Sequence, residues 1–107
     1  MTWSFVYVNA EAKAELDMLP PEVRASFERI VELVRAFGLE RVHEPYIKHI
    51  EGRIWEMRLR GRDGIARALY VTASERRVVI LRVFTKKTRR TPRREIELSR
   101  RRAEEVT

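Results

Sequence analysis

The strongest constraint on this chain is a change of hydrophobic period near residue 45. Before it, Val23, Phe27, Ile30, Val34 and Phe37 recur at steps of four, three, four and three, which is one apolar stripe of a helix. The opposite side carries Glu22, Arg29, Glu32 and Arg35. Pro20-Pro21 breaks the chain and opens that helix, because proline suits a first turn, and Gly38 ends it. Beyond residue 45 the period is two. Trp55, Met57 and Leu59 alternate with Glu56, Arg58 and Arg60, the pattern of a half-buried antiparallel strand. A chain that switches from helical to strand period in this way builds segregated helices and strands.

The other segments fit that frame. Trp3 to Val8 is rich in aromatic and β-branched residues and predicts a first strand. Asn9 caps a short helix over about 10–18. Gly61-Arg62-Asp63-Gly64 is a turn, and Ile65 to Ala73 is a strand that carries Arg67. After a turn at Ser74-Glu75-Arg76, the nearly all-apolar run Val78 to Phe84, with Arg82 inside it, predicts a central strand. Thr91 caps and Pro92 opens a last helix over 95–105. Its apolar content (Ile96, Leu98, Ala103, Val106) is thin, so it is expected to be loosely held or covered by a partner. The predicted order is β-α-α-β-β-β-β-α. The fold class is α+β: a two-helix hairpin on a twisted antiparallel sheet of about four to five strands, with a short C-terminal helix. Trp55, Met57 and Leu59 face the helices as core. A length of 107 residues predicts a single domain over 1–107.

Charge is divided unevenly. The net +7 splits into −3 over residues 1–51, which hold six basic and nine acidic side chains, and +10 over 52–107, which hold seventeen and seven. Residues 82–94 contain seven cations and no acid. Such a field attracts a polyanion or an acidic protein partner. Cysteine is absent, which excludes disulfides and thiolate chemistry, and His43 and His49 lack the spacing of a helical metal pair. No metal or cofactor is expected. No apolar run approaches membrane length, and the start of the chain lacks the pattern of a signal peptide, so a cytoplasmic protein without membrane attachment is expected.

The alternation predicts a sheet face that bears Glu56, Arg58 and Arg60, with Arg67 on the next strand and Lys86-Lys87 at the end of the central strand. Several cations that converge on one phosphate can stabilise the charge that develops in phosphoryl transfer, and a carboxylate or a lysine of lowered pKa can move the proton. Each residue also has a plainer reading. Glu56 between arginines makes a cross-strand ion pair, Arg67 a surface pair, and His49 a surface histidine without a role.

Three ordered segments carry a resemblance. Ile54-Trp55-Glu56-Met57-Arg58, then Arg67-Ala68-Leu69-Tyr70, then Phe84-Thr85-Lys86-Lys87-Thr88 with Thr91-Pro92 are similar to the RelE/ParE toxin superfamily, and most similar to its phage-derived HigB-like branch. The resemblance spans about residues 3–104. It implies the toxin of a type II toxin–antitoxin system, a ribosome-dependent, metal-independent mRNA endonuclease that inhibits translation. It implies ribosome, mRNA and a cognate antitoxin of helix-turn-helix type as partners. Carried over, the catalytic candidates are Glu56 as base, Arg58 near the nucleophile, Arg67 on the scissile phosphate, and Lys87 with Lys86 beside it at the transition state or leaving group. Lys48, Arg60, Arg82, Arg89, Arg90, Arg93 and Arg94 would hold the RNA backbone. Several RelE-like nucleases place a tyrosine or histidine after the basic strand end, and residues 88–93 here contain neither. The alternatives are a ParE-like toxin that inhibits DNA gyrase by binding, and a non-catalytic RNA-binding module.

Overall fold

The computed structural model describes residues 2–107. Strand β1 (Ser4–Tyr7) leads into helix α1 (Ala10–Asp17) and helix α2 (Pro21–Phe37). A short helical turn at Leu39–Arg41 precedes strands β2 (Ile47–Glu51), β3 (Ile54–Gly61), β4 (Gly64–Ala73) and β5 (Arg77–Thr85), and helix α3 (Arg93–Ala103) follows. The α+β class, the helical hairpin and the C-terminal helix are those expected. Asn9 caps α1 as predicted, its side chain accepting from the Ala12 N–H at 2.9 Å.

The sheet has five strands in the order β1-β5-β4-β3-β2. Strands β2 to β5 form an antiparallel meander, whereas β1 runs parallel to β5, so the sheet is mixed. Short turns force antiparallel neighbours only between consecutive strands. The first strand reaches β5 through the whole chain, and nothing in its local pattern carries that direction.

Val23, Phe27, Ile30 and Val34 of α2 are buried on Met57 and Leu59 of β3, Ala66, Ala68 and Tyr70 of β4, and Val78, Ile80 and Val83 of β5. Phe5 of β1 meets Phe27 edge to face, ring centroids 6.2 Å apart. The stripe stops short of Phe37, which is 61% exposed. Trp55 also departs from expectation. It is 40% exposed, with its ring 4.9 Å from that of His49. It lines a cavity of about 470 Å³ together with Trp3, Ile47 and Tyr70.

The opposite face of the sheet is not open along its whole length. Ile54, Leu69, Val71, Val79, Leu81 and Phe84 form a second apolar cluster, which Ile96 of α3 covers. The last helix is therefore attached, and charge supplies what its thin stripe lacks. Arg82 pairs with Glu15 of α1 and Glu95 of α3, both at 2.7 Å. Arg102 bonds both oxygens of Glu15 at 3.0 Å and the Leu81 carbonyl at 2.8 Å. Arg93 and Arg100 reach Glu51 from the other side.

Arg82 reaches these partners because β5 holds one extra residue. Leu69 faces Arg82 while Tyr70 faces Ile80, so Leu81 has no counterpart on β4. The bulge reverses the alternation of β5. Val78 and Ile80 face α2, and after the bulge so does Val83, while Leu81, Arg82 and Phe84 lie on the α3 side.

Two outcomes follow for stability. A Cβ added at Gly61 would lie 2.8 Å from the backbone N of Val23 and 2.9 Å from the carbonyl carbon of Glu22. Gly61→Ala should therefore destabilise by about 1–3 kcal/mol through overpacking against α2, measured by urea denaturation. An unchanged midpoint would show that the turn is free to move. For Glu15, burial opposes ionisation, but hydrogen bonds from Arg102, the Val83 N–H and Arg82 outweigh it and hold the carboxyl below its usual range. A folded-state pKa that is lowered contributes stability above the unfolded value, about 4.3, and loses it as pH falls through the folded value. The melting temperatures of wild type and Glu15→Gln should thus differ most near neutrality and converge as pH drops below about 4. A gap independent of pH would show that the charge of Glu15 is not what holds α3.

Candidate nucleic-acid interface

Beyond the end of α3, the sheet face bears charge instead of apolar side chains. Glu56, Arg58 and Arg60 project from β3 on this side, Arg67 from β4, and Lys48 from β2 opposite Glu56. The antiparallel register places Arg58 directly across from Arg67. Two like charges so placed repel, and the carboxylate beside them relieves the repulsion.

Glu56 is the centre of the group and only 2% exposed. One oxygen, Oε2, lies 3.3 Å from Arg58 Nε and 3.5 Å from Arg67 Nε. The other, Oε1, accepts a hydrogen bond from the Thr91 hydroxyl at 2.7 Å. Thr91 therefore does not cap α3. Its hydroxyl turns away from the helix, and α3 begins after Pro92 without a side-chain cap. Both oxygens of this buried carboxylate are thus engaged by side chains of the protein.

Arg67 is buried, and its Nη1 donates to the Ala66 carbonyl at 3.1 Å. Its Nε forms the ion pair with Glu56 but is not aligned for a hydrogen bond to it, so that buried N–H lacks an acceptor. Burial lowers the pKa of Arg67, Glu56 opposes the shift, and Arg58 and Arg60 add to it. The guanidinium stays charged, yet it sits where a further anion would stabilise it.

The two adjacent lysines separate. Lys86 is 7% exposed and turned inward, with its ammonium group on the Arg89 carbonyl. Its pKa is pushed down by burial first, then by Arg67, with Glu56 opposing and Arg58 and Lys48 adding to the fall. Lys87 is exposed beside Pro20 and Val23, on the side of α2. The sequence reading set Lys87 first and Lys86 beside it, whereas the structure brings Lys86 to Glu56. The cause is the bulge at Leu81, which reverses the alternation before the strand ends.

A cavity of about 510 Å³ opens beside this group, lined among others by Lys48, Glu56, Arg58, Arg89, Arg90 and Thr91 but not by Arg67 or Lys86. Of the other basic residues singled out, Arg60 and Arg94 are exposed. Arg82 and Arg93 differ, since their guanidinium groups are committed to carboxylates of the domain itself, Arg82 to Glu15 and Glu95 and Arg93 to Glu51 and Glu97. Sequence reasoning missed Thr91 as a partner of Glu56. A threonine before a proline signals a helix start, and nothing local marks a contact 35 positions away. Among the described residues, no three His, Cys, Asp or Glu side chains gather as a metal site would need. Among the described residues, no helix is long and apolar enough to cross a membrane.

Comparison with known proteins agrees with this architecture. The E. coli toxin RelE, solved as a mutant in the free state, superposes with a TM-score of 0.63 at 16% identity, with 100% of both chains covered. The archaeal RelE–RelB complex from Pyrococcus horikoshii OT3 contains a chain that matches with a TM-score of 0.55 at 19% identity, covering 79% of this chain and 96% of that one. No curated protein matches the sequence. The model of the family described as phage-derived protein Gp49-like matches residues 14–104. With that match over most of its length, and with the RelE fold, the chain belongs to the phage-derived Gp49-like family.

Proposed function

We propose that this protein is the toxin of a type II toxin–antitoxin pair and that it cleaves mRNA on the ribosome without a metal. The observation that carries this reading is the buried guanidinium of Arg67, whose Nε lacks a hydrogen-bond acceptor. Arg58, Lys86 and Lys48 surround the same carboxylate, so four cations act against one anion. An array with such an excess of positive charge and an unused donor suits a phosphate whose negative charge grows in the transition state.

In the reaction, the 2′ oxygen of a nucleotide attacks its own 3′ phosphorus and the bond from phosphorus to the 5′ oxygen breaks. The products are a 2′,3′-cyclic phosphate and a 5′-hydroxyl. The 2′ oxygen gives its proton to solvent water and the 5′ oxygen takes one from Lys86, which solvent then reprotonates, so no water is consumed overall. Arg58 and Arg67 hold the phosphoryl oxygens, and Glu56 keeps both guanidinium groups in place. Lys86 gives the proton to the 5′ oxygen. Its lowered pKa fits that task, and it takes the place of the tyrosine or histidine missing from residues 88–93. Lys48, Arg60, Arg89, Arg90 and Arg94 follow the RNA backbone by charge. The Pyrococcus relative was solved as a RelE–RelB complex, and that supports an antitoxin partner here, for which the resemblance implies a helix-turn-helix protein.

Induced alone, the wild-type chain should arrest translation and leave cuts in mRNA that 5′-end mapping locates at the ribosomal A site. Arg67→Ala and Lys86→Ala should each lower cleavage by roughly a hundredfold and restore growth, with folding checked by circular dichroism. Lys87→Ala should retain most of the activity. Full cleavage by both of the first two variants would remove the assigned roles. Arrest of DNA synthesis with intact mRNA would instead favour a ParE-like gyrase inhibitor, and salt-dependent RNA binding without growth arrest a non-catalytic module.

A further inference from the structure

Residues 86–91 form a loop that is tied at both ends. At its start, the Lys86 ammonium donates to the Arg89 carbonyl, and within it the Thr88 hydroxyl donates to the Arg90 carbonyl at 2.9 Å. At its end, Thr91 is buried and its hydroxyl donates to Glu56 at 2.7 Å. The first two ties close the loop on itself. The Lys86 backbone N–H donates to the Ile65 carbonyl of β4 at 2.9 Å and holds the start of the loop. Among the described residues, the third tie is the one that fastens its far end to the sheet, on the carboxylate that also meets Arg58 and Arg67. The exposed side chains of Arg89 and Arg90 stand on this loop at the rim of the cavity.

We propose that Thr91 is a positioning residue: through its hydrogen bond to Glu56 it fastens the basic loop 86–91 to the sheet and sets Arg58 and Arg67 for the phosphate. The proposal rests on the nuclease reading for its catalytic half, while its structural half concerns the loop alone. A hydroxyl that donates to a carboxylate is a charge-assisted bond, stronger than a neutral one. Without it, Oε1 of Glu56 would be buried and unpaired, and such a group recovers a partner by moving. The carboxylate would turn toward one arginine at the expense of the other, and Arg89 and Arg90 would leave the rim with the freed loop.

The test compares Thr91→Val, which keeps the shape and removes the hydroxyl, with Thr91→Ser, which keeps the hydroxyl. The first readout needs no activity: the rate of tryptic cleavage after Lys86, Lys87, Arg89 and Arg90, with the cut bonds identified by mass spectrometry on the intact folded chain. Thr91→Val should be cut there several-fold faster than wild type, and Thr91→Ser at the wild-type rate. Equal rates in all three would overturn the fastening role. The second readout is cleavage of mRNA on the ribosome. Thr91→Val should lower kcat by about tenfold to a hundredfold, the loss of one hydrogen bond to a charged group, with a smaller change in KM, and serine should rescue it. Adding Thr91→Val to Glu56→Gln should cause little further loss, because one residue acts through the other. Additive losses, or a serine variant as impaired as the valine one, would overturn the positioning role. A wild-type chain that leaves mRNA uncut would end the nuclease reading and the catalytic half with it, while the tryptic comparison would still decide whether Thr91 holds the loop.

Discussion

The buried carboxylate of Glu56 is the constraint on which the charged end of the sheet depends. Four cations, Lys48, Arg58, Arg67 and Lys86, share that end, and two of them sit directly opposite each other on neighbouring strands. Left alone, they would repel and draw water into the sheet. Burying one anion among them is costly, and the cost is met by two ion pairs and one hydrogen bond from outside the sheet. The arrangement does not cancel the charge. It leaves a guanidinium desolvated and incompletely bonded, which is a poor way to build a core and a suitable way to await an anion.

A second carboxylate does the corresponding work for the attachment of the last helix. Glu15 receives Arg82, Arg102 and the Val83 N–H, and so joins α1, β5 and α3 at one point. The chain thus uses acids from its mildly acidic first half to anchor bases from its strongly basic second half. The division of charge between the halves, read at first as a sign of an external partner, is in part an internal adhesive. Among the described residues, the cations that no carboxylate of the fold claims are a smaller subset, chiefly Lys48, Arg60, Arg89 and Arg90.

Much of the fold was legible because it rests on periodicity. The stripe on α2, the Asn9 cap and the alternation of β3 are local patterns, and local physics enforces them. The alternation also placed Glu56, Arg58, Arg60 and Arg67 on one face. What escaped depends on distant contacts or on one-residue irregularities. Trp55 fits the core phase of its strand and is nevertheless 40% exposed, with His49 against its ring. The parallel direction of β1 is set by the whole meander. Thr91 and Glu56 are joined by a hydrogen bond between segments that no short pattern connects. The attachment of α3 was underrated because its apolar content was counted and its ion pairs could not be.

The bulge at Leu81 gives a meaning to the doubled lysine at the end of β5. Side chains on a strand alternate, so a single lysine there would serve the site in only one register. A pair guarantees an amine on each side of the sheet, whichever parity the strand holds when it ends. Loss of the unpaired Leu81 would close the bulge and keep Lys86 beside Glu56, whereas a slip of β5 by one residue along β4 would bring Lys87 there instead. The motif thereby tolerates slippage, because either register of the strand leaves one inward cation at the carboxylate.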